Sequence, residues 1–185
     1  MPLIEVVSKH IQVISSLSLI EEQFSAAASA VAARLAARGT LYAFGNGGSA
    51  ADAQHLVAEL IGRFLHDREP IPAAVLPTDS SSMTCIGNDY SFTEVFARPA
   101  RALVTERDAV VGFSTSGSSA NVLAGLRQAR ENGAYTVLFT GQTADPASAD
   151  AVLRVPSRET ARIQEAHVLM LHVLCEVIEG AMSRR

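Results

Sequence analysis

His55 and Glu59 lie four residues apart in a helical pattern, so both side chains share one face, within reach of one metal ion or one substrate. An imidazole beside a carboxylate can also move protons, although an exposed helix uses the same pair for a contact worth only about a few tenths of a kcal/mol. Position adds to the signal. The pair follows the turn Gly45-Asn46-Gly47-Gly48-Ser49, with His55 less than about two helical turns beyond Ser49. A second turn, Ser114-Thr115-Ser116-Gly117-Ser118-Ser119, gathers hydroxyls and backbone N–H groups just before a helix. Helix starts of this kind carry partial positive charge and unpaired donors and cradle phosphate, though serine is also a common helix cap. The first turn is a weaker copy of the same signal. Near the C-terminus, Gln164, Glu165, His167 and His172 fall in an apolar helical run, where a histidine is more often packed in a core than a ligand. His10, in the first helix, and His66, in a polar loop, carry less chemical signal, and Cys85, Met83 and Met170 read as packing groups.

The elements that must position these groups alternate. Residues 3–37 carry apolar residues at helical spacing, and serines near Ser15-Ser16-Leu17-Ser18 divide them into two helices. Short β-type runs follow at 40–44, 73–76, 109–113, 135–140 and 151–155. Between them, 50–64 and 120–132 read as helices, the latter ended by Gly133, and 160–182 as a long closing helix. Residues 79–103 are ambiguous and partly helical. Strands alternating with helices predict an α/β fold, a parallel five-stranded sheet covered on both faces, with ligands at the carboxyl ends of the strands. Both polar turns then fall at one sheet edge. The glycine turn lacks the third glycine of a dinucleotide fingerprint, which argues against a nicotinamide cofactor.

Composition narrows the classes. A chain of 185 residues favours one domain, here 1–185 with 1–37 as a helical extension. Lys9 is the only lysine, which excludes a P-loop or a Schiff-base site. A net charge of −4 and no basic cluster argue against nucleic acid as a partner. Charged residues are 18% of the chain, below the typical ~25%, so an oligomer is expected. Cys85 and Cys175 are too few for a disulfide framework or a four-thiolate metal site, and their apolar settings read as reduced core residues. The start MPLIEVVSKH lacks the charge and apolar run of a signal peptide. No apolar stretch approaches the ~18–20 residues of a membrane span. A cytoplasmic protein without membrane contact is expected.

Taken in order, the glycine turn, His55 and Glu59 continuing into Leu60-Ile61-Gly62-Arg63-Phe64, Gly87-Asn88-Asp89-Tyr90, the serine turn, and Arg162-Ile163-Gln164-Glu165 followed by His172 resemble the phosphoheptose isomerases, sugar isomerase (SIS) domain proteins. The resemblance spans nearly the whole chain. It implies a flavodoxin-like three-layer SIS fold, a homotetramer with sites near subunit contacts, and interconversion of sedoheptulose 7-phosphate and glycero-manno-heptose 7-phosphate. It places the phosphate on Ser114, Thr115, Ser116 and Ser119. The sugar falls to Asn46, Gly47, Gly48, Ser49, Asn88 and Asp89, with Glu59 and Gln164 also touching substrate. Glu59 and His172 become the acid/base pair, and His55, Glu59, Gln164 and His172 the ligands of one zinc ion per subunit. Such an isomerisation passes through an enediol and needs one group at the carbons and one at the oxygens, which a carboxylate and an imidazole supply. Where some members carry an aspartate just before Arg-Ile-Gln, this chain has Ala161.

Gln164 and His172 lie eight residues apart, about 12 Å along a straight helix, too far for both to ligate one ion at ~2 Å. One of them is therefore expected from a neighbouring chain. The alternative from another class is a non-catalytic SIS tetramer that binds the bacterial replication initiator, in which the positions matching Glu59 and His172 hold other residues. A transcription-regulator sensor would need a DNA-binding module for which this chain has no room.

Overall fold

The computed structural model describes residues 2–77 and 79–182. Among them, β1 (Leu41–Gly45), β2 (Ala73–Val75), β3 (Ala109–Ser114), β4 (Tyr135–Thr140) and β5 (Ala151–Arg154) form one sheet in the order β2-β1-β3-β4-β5. Every neighbouring pair is parallel. The five expected runs are the five strands, displaced by at most one residue at their ends. All six residues of β3 are buried, as strands covered on both faces require.

The helices are α1 (Leu3–Ser16), α2 (Glu21–Ala36), α3 (Gly48–Ile61), α4 (Ser80–Asp89), α5 (Glu94–Leu103), α6 (Ala120–Glu131) and α7 (Thr160–Met182). Alternate strand residues feed two cores. Leu41, Val111, Phe113, Phe139 and Leu153 pack with α2, α3 and α7 on one face, while Phe44, Val110, Leu138 and Val152 pack with α5 and α6 on the other. The result is the three-layer architecture expected from the alternation of elements.

Departures from expectation have local causes. The serine-rich interruption is a 3-10 turn over Leu17–Ile20, and no serine side chain caps α2. The ambiguous segment resolves into α4 and α5; Pro99 inside α5 and the absence of any buried residue in α4 had blurred the period. Helix α3 starts at Gly48 rather than Ala50 and stops at Ile61 instead of reaching Phe64. Gly133 follows α6 with φ +86°, the left-handed stop its sequence predicts.

Cys175 is buried as expected, its thiol pushed up to about 12 by burial and then by the charges of Glu59 and Glu179. Cys85 is not a core residue. It is exposed on α4, where its thiol donates to Asp89 Oδ2 at 3.3 Å, because the apolar neighbours that suggested burial sit on a helix with no buried face. The expectation that no apolar stretch approaches the length of a membrane span also needs correction. By length and composition, Leu3–Ala36 includes a window apolar enough to cross a bilayer, which Glu5, Lys9 and His10 had disguised by breaking up the run. Here α1 lies on α7 through His10–Glu165 at 2.7 Å and on the residue just before it through Lys9–Glu159 at 3.1 Å, and α2 buries Phe24, Val31 and Leu35 in the core.

His167 is a core histidine, with Phe113 and Phe139 each 5.8 Å from its ring centroid. Burial lowers its pKa to about 4, the Thr140 backbone offsetting part of the effect. In the unfolded chain it titrates near ~6.5, so protons bind the unfolded state first. The stability that neutral His167 allows is complete above about pH 6.5 and drains as pH falls toward 4. His167→Leu removes this dependence. Urea unfolding at several pH values should show wild type losing up to about 3 kcal/mol relative to the variant across that window. A constant difference would rule out the buried imidazole as the source.

Candidate active site

The strand order reverses between β1 and β3, the point at which open α/β sheets leave a crevice. From β1 the chain enters α3 on one face of the sheet, and from β3 it enters α6 on the other, so both polar turns border that crevice. A reciprocal amide pair joins them. Asn46 Nδ2 donates to Asn121 Oδ1 at 2.9 Å, and Asn121 Nδ2 returns a bond to Asn46 Oδ1 at 2.8 Å. In the serine turn, Ser114 Oγ donates to Ser119 Oγ at 3.0 Å, and Ser118 N and Oγ donate to Ser116 Oγ at 3.2 and 3.1 Å. Gly117, at φ +67°, leaves no room for a side chain, since a Cβ there would stand 2.5 Å from that of Ala144. The turn is tight, rich in hydroxyls and open to a cleft of about 480 Å³.

Farther along α3, His55 Nε2 is 3.0 Å from Glu59 Oε1, and His172 Nε2 of α7 is 3.3 Å from His55 Nε2. One ring nitrogen carries either a lone pair or a proton, yet His55 Nε2 faces two partners at hydrogen-bond distance. A cation satisfies that geometry. The three ligand atoms lie within 4.8 Å of one another, and tetrahedral ligands ~2.0–2.1 Å from zinc stand roughly 3.3 Å apart. Two imidazoles and a carboxylate are also a zinc donor set. The sequence pattern on α3 and the distant His172 thus form one group fit for a metal ion.

A buried ion pair holds this group in place. Glu179, 2% exposed on α7, accepts from the backbone N–H groups of Phe64, Leu65 and His66 and from Arg68 Nε. Burial alone would push its carboxyl up; the three amides and Arg68 outweigh that and hold it below the usual carboxylate range. Arg68 in turn donates Nη1 to Leu60 O at 2.9 Å and Nη2 to Glu59 O at 2.8 Å, capping the end of α3. The segment so anchored lays the Phe64 ring on His172, with centroids 5.4 Å apart.

The other expected site residues distribute unevenly. Gln164 packs its amide on the first turn of α3, where a Cβ on Gly48 would come 2.4 Å from Nε2. His55 is seven residues beyond Gly48, about 10 Å along the helix, so Gln164 and the His55–Glu59–His172 group occupy opposite ends of one helix pair. Ser49 is buried beside the glycine turn. Asn88 and Asp89 are exposed at the end of α4, Asn88 Nδ2 donating to Asp89 Oδ1 at 2.7 Å. Glu165 binds His10 and Arg162, and Arg162 Nε, buried beside Ala161, has no hydrogen-bond partner. Sequence reasoning missed Asp52, three residues before His55 and 8% exposed, whose carboxyl burial raises to about 6 while the His55 charge pulls it down. Its only local signal was that helical spacing from His55.

A model of the SIS domain matches residues 7–141. The chain is 44% identical to the phosphoheptose isomerase of Aquifex aeolicus over 171 residues, covering 91% of this chain and 90% of that protein. It is 51% identical to that of Solidesulfovibrio magneticus over 159 residues, 85% and 78% of the two chains. The solved phosphoheptose isomerase of Neisseria gonorrhoeae superposes with a TM-score of 0.88 at 37% identity, over 96% of this chain and 97% of that one. The chain belongs to the phosphoheptose isomerase family of SIS domain proteins. The phosphoheptose isomerase of Francisella tularensis, at 30% identity and a TM-score of 0.84, shares the fold over 97% of this chain.

Glu179→Ala leaves Arg68 and three amides facing a buried void and should cost about 3–5 kcal/mol in urea unfolding. Glu179→Gln, which keeps the shape and an acceptor, should cost less. Equal and small losses in both variants would show that the pair does not anchor the segment.

Proposed function

We propose that this protein interconverts sedoheptulose 7-phosphate and glycero-manno-heptose 7-phosphate. The observation that carries the reading is the convergence of His55, Glu59 and His172 into one group, in a chain of this family that also carries a hydroxyl-rich, phosphate-type turn. Ser114, Thr115, Ser116 and Ser119 hold the phosphate through hydroxyls and the first amides of α6, while Asn46, Gly47, Gly48, Ser49, Asn88, Asp89 and Gln164 contact the sugar. Glu59 removes the proton from C1 of the ketose and returns one to C2. His172 protonates O2 as the enediol forms and accepts the proton of O1 as it collapses to the aldose. Phe64 excludes water from one face of the His172 ring. The two steps together return the protein to its starting protonation state.

His55, Glu59 and His172 would hold one zinc ion through the atoms that face one another, Glu59 Oε1 and His172 Nε2 among them, which leaves Glu59 Oε2 and His172 Nδ1 to move protons. The ion would supply polarisation of the substrate carbonyl and anchoring of its hydroxyls. Gln164 of the partner subunit completes the ligand set, since in one chain it lies about 10 Å along α3 from His55. The assembly is a homotetramer of this SIS domain, acting in the cytoplasm. Leu3, Ile4, Ile11 and Leu19 on the N-terminal helices and Leu169 and Val173 on α7 are 37–78% exposed, and a second copy covers them. The presence of Glu59 and His172 speaks against a scaffold that only binds an initiator, which has no use for a proton-transfer pair.

Turnover of sedoheptulose 7-phosphate, followed as aldose phosphate formed, tests the reading. Glu59→Gln and His172→Gln should each lower kcat by at least about 10²-fold, a typical loss for a proton-transfer group. Chelation should remove wild-type activity and zinc should restore it, and light scattering should give a four-chain assembly. No turnover by folded, zinc-loaded protein would overturn the assignment.

A further inference from the structure

We propose that Arg158 binds the phosphate end of the substrate, supplying the positive charge that the serine turn itself lacks. The inference rests on the sugar-phosphate reading above and adds a residue to it. The cleft beside the turn has Thr115, Ser116 and Ser118 on one wall and Ser157, Arg158 and Thr160 on the other. Among the described residues Arg158 is the only charged one lining it, so a dianion entering the cleft meets a guanidinium and, among those residues, no carboxylate.

The two walls are joined by backbone. Gly141 N donates to Thr115 O at 3.2 Å, and the next residue, Gln142, donates its N–H to Ser157 O at 3.2 Å. Glu159 N closes the loop on Ser157 Oγ at 3.1 Å. Arg158 therefore springs from a segment fixed relative to the turn by main-chain bonds, while its side chain is exposed. Among the described residues it makes no hydrogen bond or ion pair. Its neighbour Glu159 is held by Lys9 at 3.1 Å, which removes the nearest carboxylate in sequence as a competing partner.

The chemistry fits the gap. A phosphate monoester carries about −1.5 to −2 charge near neutral pH, and hydroxyls and amides orient it without neutralising it. A guanidinium presents a planar fork of donors that matches two phosphate oxygens, and charge-assisted bonds of this kind are roughly twice as strong as neutral ones. Because Arg158 is exposed, screening by salt limits the gain.

Two readouts separate this proposal from the function it extends. Inorganic phosphate, titrated against thermal stability, reads the subsite without any turnover. Arg158→Gln should weaken its half-saturation about 10-fold and Arg158→Lys by less. Arg127→Gln, which removes the same charge from the adjacent cleft, should leave it unchanged. With sedoheptulose 7-phosphate, Arg158→Gln should raise KM by a similar factor, more than it lowers kcat, and should flatten the rise of KM with added salt. Unchanged phosphate affinity in Arg158→Gln, an equal loss in Arg127→Gln, or no stabilisation of wild type by phosphate would overturn the role of Arg158. Absence of turnover alongside an Arg158-dependent phosphate effect would overturn the isomerase assignment and leave Arg158 as the anion-binding residue.

Discussion

The buried pair of Arg68 and Glu179 is the constraint on which the geometry of the His55–Glu59–His172 group depends. Helix α3 carries His55 and Glu59, helix α7 carries His172, and nothing covalent fixes one against the other at this level. Glu179 gathers three consecutive amides and a guanidinium, and the guanidinium takes two carbonyls from the last turn of α3, one of them that of Glu59 itself. A carboxylate buried to this degree is tolerable only with its lone pairs satisfied, and here they are satisfied by the segment that must be held still. The same segment then places Phe64 against His172. Stability and the geometry of this group draw on one set of bonds.

A second constraint acts at the sheet edge. The reversal of strand order sends α3 and α6 to opposite faces, which opens a crevice but also leaves two loops free to move apart. The Asn46–Asn121 pair spans the crevice with two hydrogen bonds in opposite directions, tying the glycine turn to the start of α6. Glycine matters at Gly48 for a different reason. The missing side chain lets the Gln164 amide lie on the first turn of α3, so α7 approaches there more closely than any larger residue would permit.

Most of the fold was legible because a parallel sheet writes its strands as short, unbroken apolar runs punctuated by glycine and serine, and β1, β3 and β4 follow that rule closely. That His55 and Glu59 share one helix face was legible from their spacing, which by itself fits a surface contact as readily as a site. What failed was contact between residues remote in sequence. Arg68 and Glu179 are separated by 111 residues and His10 and Glu165 by 155, and no local pattern announces either pair. Cys85 was misread because an apolar neighbourhood in sequence is not a buried one when its helix packs only loosely, and Pro99 concealed a helix that tertiary packing tolerates.

The position of the metal-type group relative to the surface ties these strands of argument together. His55 and Glu59 are half-buried, His172 sits between the exposed Leu169 and Val173 in sequence, and α1 adds further apolar surface along α7. Proton transfer and metal ligation both gain from exclusion of water, because a lower dielectric strengthens each interaction in the site. A single chain leaves one side of the group open while presenting apolar residues around it. Leu169 and Val173 lie three residues before and one residue after His172, on the same side of α7, so whatever covers that apolar rim also shields the group from water.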